Sequence, residues 1–139
     1  MIQHSKNAYF LAEKFKEIGL KCNYPGMPDH PQHELMNDMM NEGFGYSGII
    51  AIDLETAERA TPFMEMMQER GVGYHAVSLG YFKTLFSNSG RSTSSEVPLE
   101  IQAEMGLSPG LVRFSVGLDH DIESTFNIIK SCLTELKLI

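Results

Sequence analysis

The chain has 139 residues, of which 42% are hydrophobic, so we expect one domain with a sizeable core. Eleven lysines and arginines stand against 18 aspartates and glutamates, and this net charge of -7 without a basic run argues against binding nucleic acid through phosphates. The sequence contains no apolar stretch of the roughly 20 residues that span a bilayer, no signal-peptide pattern and no Lys/Arg-rich amphipathic stretch, which together predict a cytoplasmic protein.

In the first half of the chain, helical and strand-like patterns alternate. Ala8, Leu11 and Phe15 recur at the three- and four-residue spacing of an amphipathic helix, and Gly19 is a suitable C-terminal stop. The segment after Ser47 is rich in isoleucine, as is typical of a strand. The predicted elements are helices over residues 3–18, 31–40 and 56–70 and strands over residues 20–24 and 47–54.

The second half of the chain mixes strands, helices and a polar loop in an irregular order. The predicted elements are strands over residues 74–79 and 111–116, helices over residues 99–105 and 121–138, and a loop over residues 87–95. We find no repeat and no linker, so residues 1–139 are predicted to form a single domain. The order favours a two-layer α+β fold in which helices cover a mostly antiparallel sheet.

Arg113 is the most informative residue of the chain, because it stands in the middle of an apolar run that otherwise suits a pleated strand. Removing an unpaired charge from water is costly, so such an arginine either points into solvent or faces a pocket that holds an anion. A guanidinium can hold a carboxylate through two parallel hydrogen bonds. The local pattern leaves both interpretations open.

Five short motifs follow one another along almost the whole chain. They are YPGMPDHPQHEL from residue 24, GFGYSG from residue 43, AVSLG from residue 76, STSS from residue 92 and GLVRFSVGL from residue 110. In this order and spacing the chain resembles the C-terminal domain of the pyridoxal-phosphate (PLP)-dependent Cys/Met metabolism enzymes, the trans-sulfuration group. The resemblance implies the small C-terminal domain of the aspartate-aminotransferase-like architecture.

The resemblance also implies roles for individual residues. The family's strand arginine binds the α-carboxylate of the amino-acid substrate, which favours the anion-pocket interpretation of Arg113. Holding the carboxylate fixes the orientation of the bonds at Cα relative to the cofactor. Ser78 matches a position beside the same carboxylate, and Thr93 matches a threonine near the substrate end of the pocket.

Val77 bears on the identity of the substrate. Family members that handle cystathionine tend to carry glutamate at this position, whereas valine gives an apolar wall that suits a thioether or an acyl-homoserine. The resemblance therefore implies methionine γ-lyase-like elimination or O-acetylhomoserine sulfhydrylase-like γ-replacement. Tyr81 and Phe82 depart from the small or acidic pair that usually follows Gly80 in the family, so the identity of the substrate stays open.

The family's cofactor-binding part does not occur in this sequence. Its PLP-binding lysine lies upstream in a Ser-x-x-Lys context, which none of the seven lysines occupies. Lys83 is the only one near the motifs that are matched to the pocket. We therefore expect a substrate-binding domain of a longer enzyme, or a truncated product of its gene, that is inactive alone. The family implies a homotetramer for the intact enzyme. The second hypothesis is a free-standing domain that binds an amino acid or a protein without catalysis.

The cysteines and histidines favour neither a redox site nor a metal site. Cys22 and Cys132 are isolated, which argues against a disulfide framework and fits a reducing cytoplasm. His30 and His33 have the spacing of metal ligands on a helix, but a proline lies between them and a firm third ligand is missing. We expect these two side chains to tie down the preceding Pro-Gly turn and to cap the following helix.

Overall fold

In a computed structural model, the chain forms a five-stranded sheet with helices packed on one face. The structure describes residues 1–90, 92 and 94–139. The strands are β1 (Lys21–Asn23), β2 (Ile49–Asp53), β3 (Gly73–His75), β4 (Thr84–Asn88) and β5 (Leu111–Ser115). The helices are α1 (Ile2–Glu17), α2 (His33–Met39), α3 (Ala57–Glu69), α4 (Leu99–Glu104) and α5 (Ile122–Glu135).

The order of the strands across the sheet is β1-β2-β5-β4-β3, which puts β5 in the centre. Neighbouring strands are antiparallel, except that β3 and β4 are parallel. The predicted α+β fold with a mostly antiparallel sheet is thus confirmed. In this register Arg113 of β5 lies directly between Ala51 of β2 and Ser87 of β4.

The hydrophobic core lies between the sheet and helices α1, α3 and α5. Phe114 of β5 is fully buried there, and its ring centroid lies 5.8 Å from that of Phe15 on α1 and 6.0 Å from that of Phe86 on β4. Because side chains alternate along a strand, burying Phe114 sends its neighbours Arg113 and Ser115 to the helix-free face.

Among the described residues, none of the helices is long and apolar enough to cross a membrane.

Residues 76–83, which we call the covering segment, connect β3 to β4 and cross part of the helix-free face. The Gly80 N–H donates to Ser115 Oγ at 3.0 Å, and the Leu118 N–H donates to the Phe82 carbonyl at 2.7 Å. Gly80 has a φ of +70°, a conformation that favours glycine because it has no Cβ. These contacts hold the segment against β5. Ser87 and Ser115 are buried on this face without a covering helix, whereas Arg113 is half-buried.

The structure corrects two sequence predictions in this region. The predicted strand over residues 74–79 is confined to β3, because the chain leaves the sheet one residue after His75 and turns across its face. The predicted polar loop was placed from residue 87, yet β4 continues to Asn88. All five residues of β4 are buried, so the strand carries no alternation of apolar and polar residues that would have predicted it.

Buried polar side chains of α1 hold the end of β5. His4 Nδ1 lies 2.6 Å from the carbonyl oxygen of Val116, and Asn7 Nδ2 donates to the carbonyl of Gly117 at 3.0 Å. Both side chains are largely buried, and their partners are backbone groups that follow the last residue of the strand. The first helix thereby sets where β5 ends relative to the sheet.

The histidines of the first motif serve as local anchors. His33 Nδ1 lies 2.8 Å from the carbonyl oxygen of Pro25, and His30 Nε2 lies 2.8 Å from Asn23 Oδ1. The predicted role in tying down the turn is confirmed, whereas the N-terminus of α2 has no side-chain cap. Within the described residues, no group of three His, Cys, Asp or Glu side chains is arranged to hold a metal ion.

We predict that Gly117→Ala destabilises the fold, because the backbone of residues 82–84 approaches this glycine closely. A Cβ at this position would lie 2.4 Å from the Phe82 carbonyl oxygen and 2.6 Å from the Thr84 nitrogen. Backbone atoms give way less than side chains, so we expect a loss of about 3 kcal/mol in the free energy of unfolding, measured by urea denaturation.

The control is Gly106→Ala, where no atom lies within 4 Å of the new Cβ and only the φ of +73° opposes the substitution. This change should cost about 1 kcal/mol. Equal losses at the two positions would contradict the close approach at Gly117.

Candidate functional site

Arg113 lies half-buried on the helix-free face, under the segment of residues 76–83. Its Nη2 donates a hydrogen bond of 2.9 Å to the Val77 carbonyl. Its Nε is buried and has no hydrogen-bond partner. The inner side of the guanidinium therefore faces the sheet, and its outer side is anchored at one point to the covering segment.

Arg113 has no carboxylate partner in the part of the chain that the structure describes. Arg59 pairs with Glu55 and Arg70 pairs with Glu135, whereas no ion pair involves Arg113. Burial lowers the pKa of the Arg113 guanidinium, which means that its charged form is less favourable here than in the unfolded chain. A cation placed in this way lacks a counter-charge, and an anion from outside the described residues can supply it.

Exposed apolar side chains of β3 and of the segment after it form a patch that we call the apolar rim. Tyr81 and Phe82 contact each other with ring centroids 4.4 Å apart, and Tyr74 lies 6.4 Å from Tyr81. Val77 as a residue is 57% exposed, although its carbonyl accepts a hydrogen bond from Arg113. Because the Val77 carbonyl binds Arg113, an anion held by Arg113 would lie near the apolar Val77 side chain.

The structure brings some of the sequence-predicted site residues together. Val77 and Arg113 are linked by a hydrogen bond, and Ser78 is the next residue along the same segment. The Ser78 side chain is exposed, and among the described residues its hydroxyl has no hydrogen-bond partner. Thr93 lies outside the described residues.

Ser87 was missed by the sequence analysis. It pairs in register with Arg113 across the antiparallel strands β4 and β5, so the two side chains emerge on the same face. Ser87 is fully buried, and its hydroxyl has no hydrogen-bond partner. The sequence carried no signal for it, since a serine at the start of a predicted polar loop is unremarkable.

Two cavities that are lined in part by α1 do not include Arg113 in their lining. A cavity of about 260 Å³ is lined by Ile49, Leu79 and Ser115 together with His4, and Arg113 is not among its lining residues. A larger groove of about 420 Å³ lies between α1 and residues 37–46, and Arg113 is not among its lining residues. We place the candidate site at Arg113 because the uncompensated charge, rather than the size of a groove, identifies a ligand.

The described residues do not fit a PLP site of the kind that the sequence resemblance implies. A lysine that binds an aldehyde needs a lowered pKa, which burial or a nearby cation provides. None of the lysines in the described ranges is buried; Lys83 is exposed, and ion pairs occupy Lys14 and Lys16. The hydrogen bond to Glu17 raises the pKa of Lys14, in the opposite direction.

Comparisons with known proteins identify relatives for most of the chain. The profile of the Cys/Met metabolism PLP-dependent enzymes matches residues 1–130. Methionine gamma-lyase of Arabidopsis thaliana is 48% identical over 118 residues, which are 84% of this chain and 27% of the relative. Cystathionine gamma-lyase of Bacillus subtilis (strain 168) is 34% identical over 113 residues, 81% of this chain and 28% of the relative.

Solved structures share the fold. A cystathionine gamma-lyase from Lactobacillus plantarum, complexed with L-serine, matches with a TM-score of 0.83 and 24% identity over 99% of this chain and 35% of that chain. A cystathione gamma lyase from Micromonospora echinospora matches with a TM-score of 0.82 and 24% identity over 95% of this chain and 33% of that one. The chain thus spans about a third or less of the length of these relatives.

We predict that Arg113→Met leaves the melting temperature unchanged or raises it when no ligand is present. Methionine keeps the length of the side chain but removes a charge that burial disfavours and that no described carboxylate compensates. The measurement is thermal unfolding followed by circular dichroism.

The matched control is Arg70→Met, which removes a guanidinium that is paired with Glu135 and bonded to Ser131. This variant should melt lower than the wild type. A clear loss of stability in Arg113→Met would mean that Arg113 serves the fold and not a ligand.

Proposed function

The chain belongs to the family of Cys/Met metabolism PLP-dependent enzymes, and we propose that it is the domain of such an enzyme that binds the α-carboxylate of a sulfur amino acid. One observation carries the proposal: a half-buried guanidinium, that of Arg113, has no carboxylate partner in the described part of the chain. The missing counter-charge is supplied by the substrate.

The burial of Nε favours one mode of binding. A guanidinium can present a carboxylate either the edge formed by Nε and one Nη or the edge formed by the two Nη atoms. Because Arg113 Nε is buried, the Nη1 and Nη2 edge is the one left for the substrate. Nη2 keeps one hydrogen on the Val77 carbonyl and has a second one to donate. We assign the hydroxyl of Ser78, the residue after Val77, as a further donor to the same carboxylate.

The apolar rim supports a thioether or acyl-homoserine substrate. The side chains of Val77, Tyr81 and Phe82 offer no charge to a distal ammonium, so a second amino-acid head would lose its hydration without compensation. Methionine has an uncharged, apolar side chain. We therefore infer that the enzyme catalyses either methionine γ-lyase-like elimination or O-acetylhomoserine sulfhydrylase-like γ-replacement.

The remaining parts of the enzyme lie outside this domain. The PLP-binding lysine is contributed by a further domain, in line with the fraction of its relatives that the chain spans. That domain covers the exposed apolar rim, which includes Leu79, 55% exposed, as well as Phe82, 59% exposed. The intact enzyme is a homotetramer, as the family resemblance implies.

We predict that Arg113→Ala in the intact enzyme lowers kcat/KM by a factor that corresponds to about 3 kcal/mol, because the substrate carboxylate loses its partner in a desolvated site. Steady-state kinetics with L-methionine and O-acetyl-L-homoserine give the measurement and show which reaction the enzyme runs. The control Arg70→Ala removes an arginine that pairs with Glu135 of α5, away from the helix-free face, and should leave kcat/KM as it is. An unchanged kcat/KM in Arg113→Ala would refute the role.

We also predict that this chain alone, mixed with PLP, shows no absorbance band that borohydride traps at a single lysine, because its described lysines are solvated. Peptide mapping by mass spectrometry after reduction is the measurement. A stoichiometric adduct at Lys83 would contradict the assignment of the cofactor site to another domain. Stoichiometric binding of L-methionine by the chain without turnover would instead favour a free-standing binding domain.

A further inference from the structure

We propose that Ser87 is a positioning residue of the carboxylate site, which binds the Nε–H of Arg113 and thereby orients the guanidinium toward the substrate. The inference rests on the proposed function and goes one step deeper into the same site. It concerns the side of the Arg113 guanidinium that faces the sheet. The sequence resemblance implies no role for Ser87.

Two buried polar atoms without partners lie on neighbouring strands of the same sheet face. Among the described residues, the buried side-chain nitrogen and oxygen atoms without a hydrogen-bond partner are Arg113 Nε and Ser87 Oγ. More than nine in ten buried polar groups of folded proteins do have a hydrogen-bond partner. Two orphaned atoms on adjacent residues therefore point to one interaction that they share.

The chemistry of the two atoms is complementary. Arg113 Nε carries one hydrogen and no lone pair, so it can only donate. The Ser87 hydroxyl oxygen has two lone pairs and can accept that hydrogen, either directly after rotation about its Cα–Cβ bond or through one bridging water. The register of β4 and β5 places the two residues directly opposite each other, where Cβ atoms are about 5 Å apart.

A partner for Nε restricts the orientation of the guanidinium plane. The hydrogen bond from Nη2 to the Val77 carbonyl fixes one point on the outer side, and a bond from Nε to Ser87 fixes a second point on the inner side. Two fixed points define how the planar group is rotated, so that Nη1 and the free hydrogen of Nη2 face the same carboxylate. Without Ser87 the plane can rotate about the Val77 bond, and bidentate binding becomes less populated.

The test measures how tightly the intact PLP enzyme binds two probes by isothermal titration calorimetry. L-Norleucine has the carboxylate and an unreactive apolar side chain, and pentylamine is the same molecule without the carboxylate. We expect Ser87→Ala and Ser87→Cys to raise the Kd for L-norleucine about tenfold, in the range of a lost hydrogen bond to a charged group. The Kd for pentylamine should stay unchanged. Cysteine nearly preserves the volume of serine, so it keeps the proposal testable if alanine disturbs the fold.

A double-mutant cycle separates positioning from a general effect. Lysine has no donor at the place of Nε, so Ser87→Ala in an Arg113→Lys background should change the Kd for L-norleucine less than twofold. The control is Ser5→Ala, which removes a buried hydroxyl that accepts from the Tyr46 N–H at 2.8 Å. It should lower the melting temperature and leave both Kd values unchanged.

The outcomes distinguish the two levels of inference. If Arg113→Ala weakens binding of L-norleucine but both Ser87 variants bind it as the wild type does, Ser87 has no positioning role and the proposed function stands. If the Ser87 variants weaken both probes equally, Ser87 is structural and the positioning role is wrong. If Arg113→Ala leaves the Kd for L-norleucine unchanged, the proposed function fails, and the role of Ser87 fails with it.

Discussion

The alternation of side chains along the central strand β5 is the constraint on which the site depends. Phe114 is fully buried between the sheet and the helices, where it packs against Phe15 and Phe86. A slip of one residue would exchange Phe114 for Arg113 in the core, which would bury an unpaired charge among aromatic rings. The register that the core demands is therefore the register that brings Arg113 to the helix-free face.

The covering segment of residues 76–83 completes the candidate site on this face. Its carbonyls and amides bind the side chains of β5, as Val77 does with Arg113 and Gly80 does with Ser115. The result is a partly desolvated guanidinium that has one hydrogen bond but no counter-charge among the described residues. Such an arrangement contributes little to the stability of the fold, and it strengthens the electrostatic attraction of an anion, because fewer water molecules compete for the charge.

Hydrogen bonds from α1 connect the site to the rest of the fold. His4 and Asn7 bind backbone carbonyls just after β5, while Gly117 allows the backbone of residues 82–84 to approach the same point. The end of the arginine strand, the first helix and the end of the covering segment thus meet in one place. These contacts hold the end of β5 against the segment that carries Val77.

Much of this protein was readable from its sequence. The periodicity of α1 and of the isoleucine-rich β2 predicted those elements because each depends on a local pattern of apolar residues. Five motifs in order identified the family, and Arg113 was singled out because one charge in an apolar strand demands an explanation. By contrast, the sequence did not predict β4, because a strand that is buried on both faces has no alternation of apolar and polar residues. Ser87 lies on that strand and was therefore not identified. The tertiary structure alone decided three features of the site: the chain leaves the sheet after His75, Val77 anchors Arg113, and Ser87 lies opposite Arg113. The physical reason is that strand pairing joins residues far apart in sequence, and no local pattern encodes which of them meet.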